Sequence, residues 1–135
     1  MIFIDTGAFV ARYVPRDEHH SRAKRRWLEV ERDRVRCFTS NFVLDETFTL
    51  LGRRASYTFA AERARALLAS TALTILRPEA ADEVKAVDLF AKFADQKVSF
   101  TDCVSFALMR RHGVNRAFTF DRHFADAGFE VVPRI

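Results

Sequence analysis

Cysteine is scarce in this chain, with Cys37 and Cys103 the only two. A disulfide-stapled secreted scaffold needs more, and no His–Cys cluster offers zinc-ligand spacing. Both read as reduced, partly buried thiols of a cytosolic protein. Glycine and proline are also few, at 4 and 3 residues, which excludes collagen-like and low-complexity chains. No run of 18 apolar residues lacks a charge, so no transmembrane helix is expected. The start, Met1-Ile2-Phe3-Ile4-Asp5, has no basic stretch and carries an early acid, unlike a secretory leader. A cytoplasmic location without membrane attachment follows as an expectation.

What remains is 135 residues, 49% hydrophobic and 30% charged. That is the length of one domain, 1–135, large enough to bury a core without staples. The formal net charge is +4, a mild lean toward polyanionic partners. The positive charge is uneven: residues 12–36 hold nine Lys/Arg against five Asp/Glu.

Short apolar runs alternate with helical stretches. Strands are predicted at 2–4, 36–39, 73–76, 117–120 and 129–132. Helices are predicted at 6–13, 17–34, 41–51, 57–70, 79–93 and 101–112. Ser40 or Asn41 can cap one helix and Ser56 another, while Gly52 and Gly113 suit helix ends. Ala60, Ala64, Leu67 and Leu68 share a face of the 57–70 helix. Helices between nearly all strands argue for an α/β fold, a mostly parallel central sheet of about five strands flanked by helices on both faces. Ligands bind such sheets at the carboxyl ends of the strands.

Asp5 directly follows the first predicted strand and Asp121 the fourth. Either alone suits a helix N-cap, but two in equivalent places suggest a site. Glu46 has Phe42, Val43 and Leu50 as its helical neighbours, an apolar stripe, whereas Asp45 neighbours Asn41 and Thr49. A buried Glu46 requires a cation or a donor, and Arg12 and Arg54 are the candidate ion-pair partners. Asp102 falls in the first turn of the 101–112 helix, where the helix dipole favours an acid, yet Phe106 and Met109 turn it toward the core. Two carboxylates 4 Å apart repel by roughly 4 kcal/mol at an effective dielectric of 20. If these acids converge, they call for a cation. Hard oxygen donors without His or Cys suit Mg²⁺ or Mn²⁺, ions that activate water and clamp phosphoryl oxygens. An acid pocket in a basic protein suggests a phosphodiester substrate held by arginines.

Four segments carry a resemblance: Ile2-Phe3-Ile4-Asp5-Thr6, Thr39-Ser40-Asn41-Phe42-Val43-Leu44-Asp45-Glu46, Ser99-Phe100-Thr101-Asp102-Cys103 and Ala117-Phe118-Thr119-Phe120-Asp121. In this order, across essentially the whole chain, they resemble the PIN-domain ribonucleases, most of all the VapC-type toxins of bacterial toxin–antitoxin pairs. The resemblance implies a PIN-like fold and an acidic quartet of Asp5, Glu46, Asp102 and Asp121 as catalytic residues and metal ligands. It implies Mg²⁺ or Mn²⁺ and a metal-activated water attacking an RNA phosphodiester. Thr6 and Thr119 match polar positions beside the acids, with Asn41 a weaker match. A homodimer and an antitoxin that blocks the acidic pocket are also implied. Antitoxins of this kind often carry a DNA-binding half, so operon repression would belong to the complex.

Arg12, Arg16, Arg53, Arg54 and Arg122 are candidates for phosphate contacts. His19 and His20 diverge by about 100° on a helix and read as solvated surface. Asp5-Thr6-Gly7-Ala8 is similar to the aspartic-protease triplet, but that fold is nearly all β. A phosphoacceptor receiver domain needs a second acid by the first strand and a late lysine, and no lysine follows Lys97. The alternative to an enzyme is a non-catalytic RNA- or protein-binding module of the same fold.

Overall fold

The computed structural model describes residues 1–133, and within them lie five strands and seven α-helices. In chain order these are β1 (Ile2–Ile4), α1 (Thr6–Tyr13), α2 (His20–Arg32), β2 (Cys37–Ser40), α3 (Asn41–Arg54), α4 (Tyr57–Ala69) and β3 (Leu73–Leu76). Then follow α5 (Ala80–Lys92), α6 (Phe100–His112), β4 (Arg116–Phe118), α7 (His123–Asp126) and β5 (Glu130–Val132). A 3-10 turn, Ala94–Gln96, joins α5 to α6.

The strands form one parallel sheet in the order β3-β2-β1-β4-β5. β1 is central and buried on both faces, which is why it reads as an unbroken apolar run. The chain winds outward from β1 through β2 to β3, then crosses back to β4 on the other side of β1. The direction of winding thus reverses between β1 and β4, and a crevice opens at their carboxyl ends. The helices pack in two groups: α1 on α2 and α3 with α3 on α4, and α5 on α6 with α6 on α7. Right-handed crossovers generate such a pair of groups when winding reverses.

Five phenylalanines, Phe3, Phe9, Phe106, Phe118 and Phe124, are fully buried at the sheet–helix boundary. Trp27 on α2 donates its Nε1–H to the Ala8 carbonyl at 3.0 Å, locking α2 onto α1. Cys37 and Cys103 are buried free thiols, as expected.

Most of the predicted elements form, with instructive differences. Ser40, not Asn41, caps α3 by accepting the Val43 N–H, and Ser56 caps α4. α2 starts at His20, because Pro15 to His19 form turns. α3 runs two residues past Gly52. That glycine is there for close approach: a Cβ would lie 2.5 Å from the Tyr57 ring. Gly113 does end α6, with a left-handed φ of 67°. Of the expected α4 stripe only Ala60 is buried, and Leu68 is 55% exposed. α7 is too short for any helical period to show, yet it is what lets β5 lie parallel to β4.

α5 is tied to α6 by one buried carboxylate. Asp82 accepts two hydrogen bonds from the Arg111 guanidinium, both at 2.8 Å, and a third from the Glu79 N–H in a capping box. Its side chain is 3% exposed. Arg111→Ala leaves that carboxylate without its partner, and a lower urea midpoint than wild type is expected in unfolding.

Candidate active site

Asp5 sits on a strand end because the β1–β4 register puts it there. Ile4 pairs with Phe118, and the Asp5 N–H donates to the Phe118 carbonyl at 3.0 Å. Asp5 occupies the N-cap position of α1 but makes no side-chain cap bond. Its Oδ2 instead accepts from the Thr119 hydroxyl at 2.7 Å. The same Thr119 oxygen accepts the Asp121 N–H at 3.0 Å. Thr119, wholly buried, therefore joins two acids that approach from opposite ends of the chain.

Asp121 does not directly follow β4, which stops at Phe118; it lies three residues on, in a turn. There its Oδ1 accepts the His123 N–H at 2.9 Å and lies 3.1 Å from His123 Nδ1. Asp102 is the third residue of α6. Ser99 caps that helix and accepts the Asp102 N–H at 3.1 Å. Asp102 is 7% exposed, and its Oδ2 lies 4.0 Å from His123 Nδ1. Ligand atoms of Asp102, Asp121 and His123 fall within 4.8 Å of one another.

Glu46 corrects the sequence reading. It is exposed rather than buried, and neither suggested arginine holds it: Arg12 pairs with Glu31 and Arg54 with Asp17. It nevertheless faces the same cavity, along with Leu50, whereas its neighbour Asp45 does not line it. Thr6 also lines the cavity, and its hydroxyl reaches the Val43 carbonyl at 3.5 Å, linking α1 to α3. Asn41 is outside the lining; it is the first residue of α3, and its Oδ1 is buried without a partner.

The cavity holds about 610 Å³ and takes in Asp5, Glu46, Asp102 and Asp121 together. Cationic groups stand in its wall: Arg54, Lys97 and Arg122. Of the arginines singled out in the sequence, Arg12, Arg16 and Arg53 do not line it. Arg12 lies over the Trp27 ring, and Arg16 donates to the Arg54 carbonyl. Lys97 and His123 were missed. Lys97 sits in a left-handed turn ahead of α6, with no sequence signal. His123 follows Asp121 by two residues, a spacing at which an Asx turn folds the imidazole back over the carboxylate.

Burial pushes the Asp5 carboxyl up to about 6 against the Thr119 and Thr6 hydrogen bonds, and the charges of Asp121 and Glu46 add to the rise. Burial is also the main cause at Asp102, pushed up to about 9; the Asp5 charge and a hydrogen bond shared with Asp121 raise it further. These are carboxylates in want of a cation. Oxygen donors with one imidazole suit a hard divalent ion such as Mg²⁺ or Mn²⁺, so the residues fit such an ion. His123 departs from the all-oxygen set that the sequence suggested.

The protein-family model named PIN domain matches residues 2–130. The 23S rRNA-specific endonuclease VapC20 of Mycobacterium tuberculosis, in strains CDC 1551 and H37Rv, is 40% identical to this chain over 134 residues, 98% of this chain and 99% of the relative. The crystal structure of Mycobacterium tuberculosis VapC20, a sarcin–ricin loop cleaving toxin, matches with a TM-score of 0.87 and 36% identity, covering 96% of each chain.

Both raised carboxyls bind protons more tightly in the folded than in the unfolded chain. Each therefore adds stability at acid pH that is lost as pH rises, through about 6 for Asp5 and about 9 for Asp102. In metal-free buffer the wild-type Tm is expected to fall as pH rises from about 4 to about 9, and Asp102→Asn to lose the part of the fall above about 6. A Tm that drops at every pH in the variant would make Asp102 a structural cap instead.

Proposed function

The chain belongs to the PIN-domain family, and on that footing we propose that it is a Mg²⁺- or Mn²⁺-dependent endoribonuclease, the toxin of a type II toxin–antitoxin pair. The carrying observation is one cavity that joins Asp5, Glu46, Asp102 and Asp121 inside a protein of net charge +4. In this reading the four are the catalytic and metal-holding acids. The names of the relatives support a substrate in this reading: 23S ribosomal RNA, cut in the sarcin–ricin loop.

These acids would hold a divalent ion, which when bound would supply a water of lowered pKa and polarise a phosphoryl oxygen. The remaining work belongs to the protein's own groups. Thr119 fixes the Asp5 carboxylate from one side, so its free oxygen faces the cavity. His123 and the Thr119 hydroxyl together orient Asp121. Glu46, exposed on α3, adds its charge to the acids from the cavity wall. Lys97 and Arg122 receive the flanking phosphates, each a contact that positions without reading sequence, while Arg54 in the same wall is paired with Asp17. A homodimer, an antitoxin that plugs the cavity, a cytoplasmic location and a single domain over 1–135 complete the proposal. No helix among the described residues is long and apolar enough to cross a membrane.

Calorimetric titration with Mn²⁺ tests the metal part without assuming the RNA. Wild type is expected to bind, and Asp5→Asn to bind at least about tenfold more weakly. RNA binding that ignores divalent ions would favour the non-catalytic module. For cleavage of a sarcin–ricin loop hairpin, Asp102→Asn and Glu46→Gln are expected to lose at least about 100-fold. Asp45→Asn should stay within about twofold, since Asp45 faces away. Thr119→Val keeps the shape but frees Asp5, and a loss of about 10- to 100-fold is expected. Equal activity of the Asp45 and Glu46 variants would refute the assignment of faces on α3.

A further inference from the structure

One feature of the cavity is not accounted for by acids or phosphate contacts. His19 lies flat on Phe120, ring centroids 4.3 Å apart and planes 1° from parallel, and both residues line the cavity. The sequence reading of His19 and His20 as solvated surface is thereby corrected. His20 Nδ1 is 2.7 Å from the Ala11 carbonyl, and His19 is half of a ring pair.

The pair is anchored from both ends. Phe120 touches Phe118 at 6.2 Å, Phe118 touches Trp27 at 5.1 Å, and Trp27 touches Phe9 at 5.6 Å. That series of rings runs from the cavity into the fully buried core. His19 is fixed through its backbone, whose N–H donates to Asp17 Oδ1 at 2.8 Å, while Arg54 holds the other oxygen of Asp17 at 2.6 Å. The imidazole edge meets Glu18, Nε2 to Oε1 at 3.3 Å, and one ring face lies on Phe120. About a third of the His19 side chain is exposed, and its Phe120 partner also lines the cavity. Arg22 lies over the Phe120 ring at 5.6 Å and adds positive charge there.

We propose that His19, backed by Phe120, is a stacking platform for an unpaired RNA base next to the phosphodiester to be cut. The proposal rests on the endoribonuclease reading above and adds a base subsite to it. Proteins that read RNA by sequence target loops whose bases are splayed out and stacked on aromatic or histidine rings. A platform that is flat, rigid and already in place loses little freedom when a base lands on it. Phe120 precedes Asp121 in the chain, so the platform stands one residue from an acid of the site. A base stacked there tethers the RNA beside the carboxylates. His19 is therefore a positioning residue that acts on substrate binding.

The test is single-turnover cleavage of a sarcin–ricin loop hairpin, with divalent ion present, by wild type, His19→Ala and His19→Phe. Stacking of one base predicts that His19→Ala raises the RNA concentration for half-maximal rate about tenfold, leaving the maximal rate within about twofold. His19→Phe should restore most of the loss. Hairpins made abasic at each nucleotide flanking the cut should show one position that weakens wild type by a similar factor and His19→Ala hardly at all. An unchanged half-maximal concentration in His19→Ala overturns the platform, as does a loss that phenylalanine cannot rescue. If wild type cuts no RNA, the endoribonuclease reading fails by itself. Fluorescence anisotropy of the labelled hairpin then decides the platform: weaker binding by His19→Ala and recovery by His19→Phe support it, and equal binding overturns it.

Discussion

The burial of Asp5 at the end of the central strand is the constraint on which the rest of the site depends. β1 has no free face, so the residue that follows it enters the molecule rather than solvent, and Asp5 is only 6% exposed. Its position is set by the β1–β4 register. A shift of one residue would turn every side chain of β1 to the opposite face and put Thr119 out of reach. That shift is opposed by the whole core, since Ile2, Phe3 and Ile4 are buried on both sides. Hydrophobic packing thus holds a carboxylate where electrostatics alone would not leave it.

The distribution of cations supports the same view. Cations elsewhere are committed: Arg12 to Glu31, Arg111 to Asp82, Arg54 to Asp17. The last of these stands in the cavity wall, yet its charge is spent on Asp17 rather than on the buried acids. Among the described residues, only His123 brings a titratable nitrogen within ion-pair distance of Asp102 or Asp121. Positive charge is held at the mouth and negative charge at the floor. Under the proposed function that arrangement suits a phosphodiester bound together with a divalent ion.

What could be read from the sequence was whatever local physics decides. Fully buried strands, Ser caps and the left-handed Gly113 are such features, and the alternation of elements carried the parallel sheet with them. The places of Asp5 and Asp102 at the cavity were legible because an acid at a strand end or in a first helical turn is placed by that element, whereas Asp121 lies in a turn past β4 that Thr119 and His123 hold. Glu46 was found for a mistaken reason. Its apolar neighbours Phe42 and Leu50 are half-buried, and with Leu50 it borders the cavity rather than the core. The two histidines were misread because the 100° divergence is real but does not exclude partners. Each found one on a different element, Phe120 for His19 and the Ala11 carbonyl for His20. Such contacts are set by tertiary packing and leave no trace in helical period.

The topology also decides when a site exists at all. Asp5 and Thr119 are 114 residues apart, yet a single 2.7 Å hydrogen bond joins them. β4 reaches β1 only after the chain has built β2 and β3 and crossed back through α5 and α6. The last acid, Asp121, is then fixed by α7 and by the Thr119 N–H pairing with the Val132 carbonyl of β5. A partly folded chain therefore holds some of the acids but never the cavity. The long-range closure that makes this sheet slow to assemble also keeps carboxylates, platform and cationic rim apart until the last strand docks. Competence to cut is in this sense a property of the completed sheet, not of any segment that carries an acid.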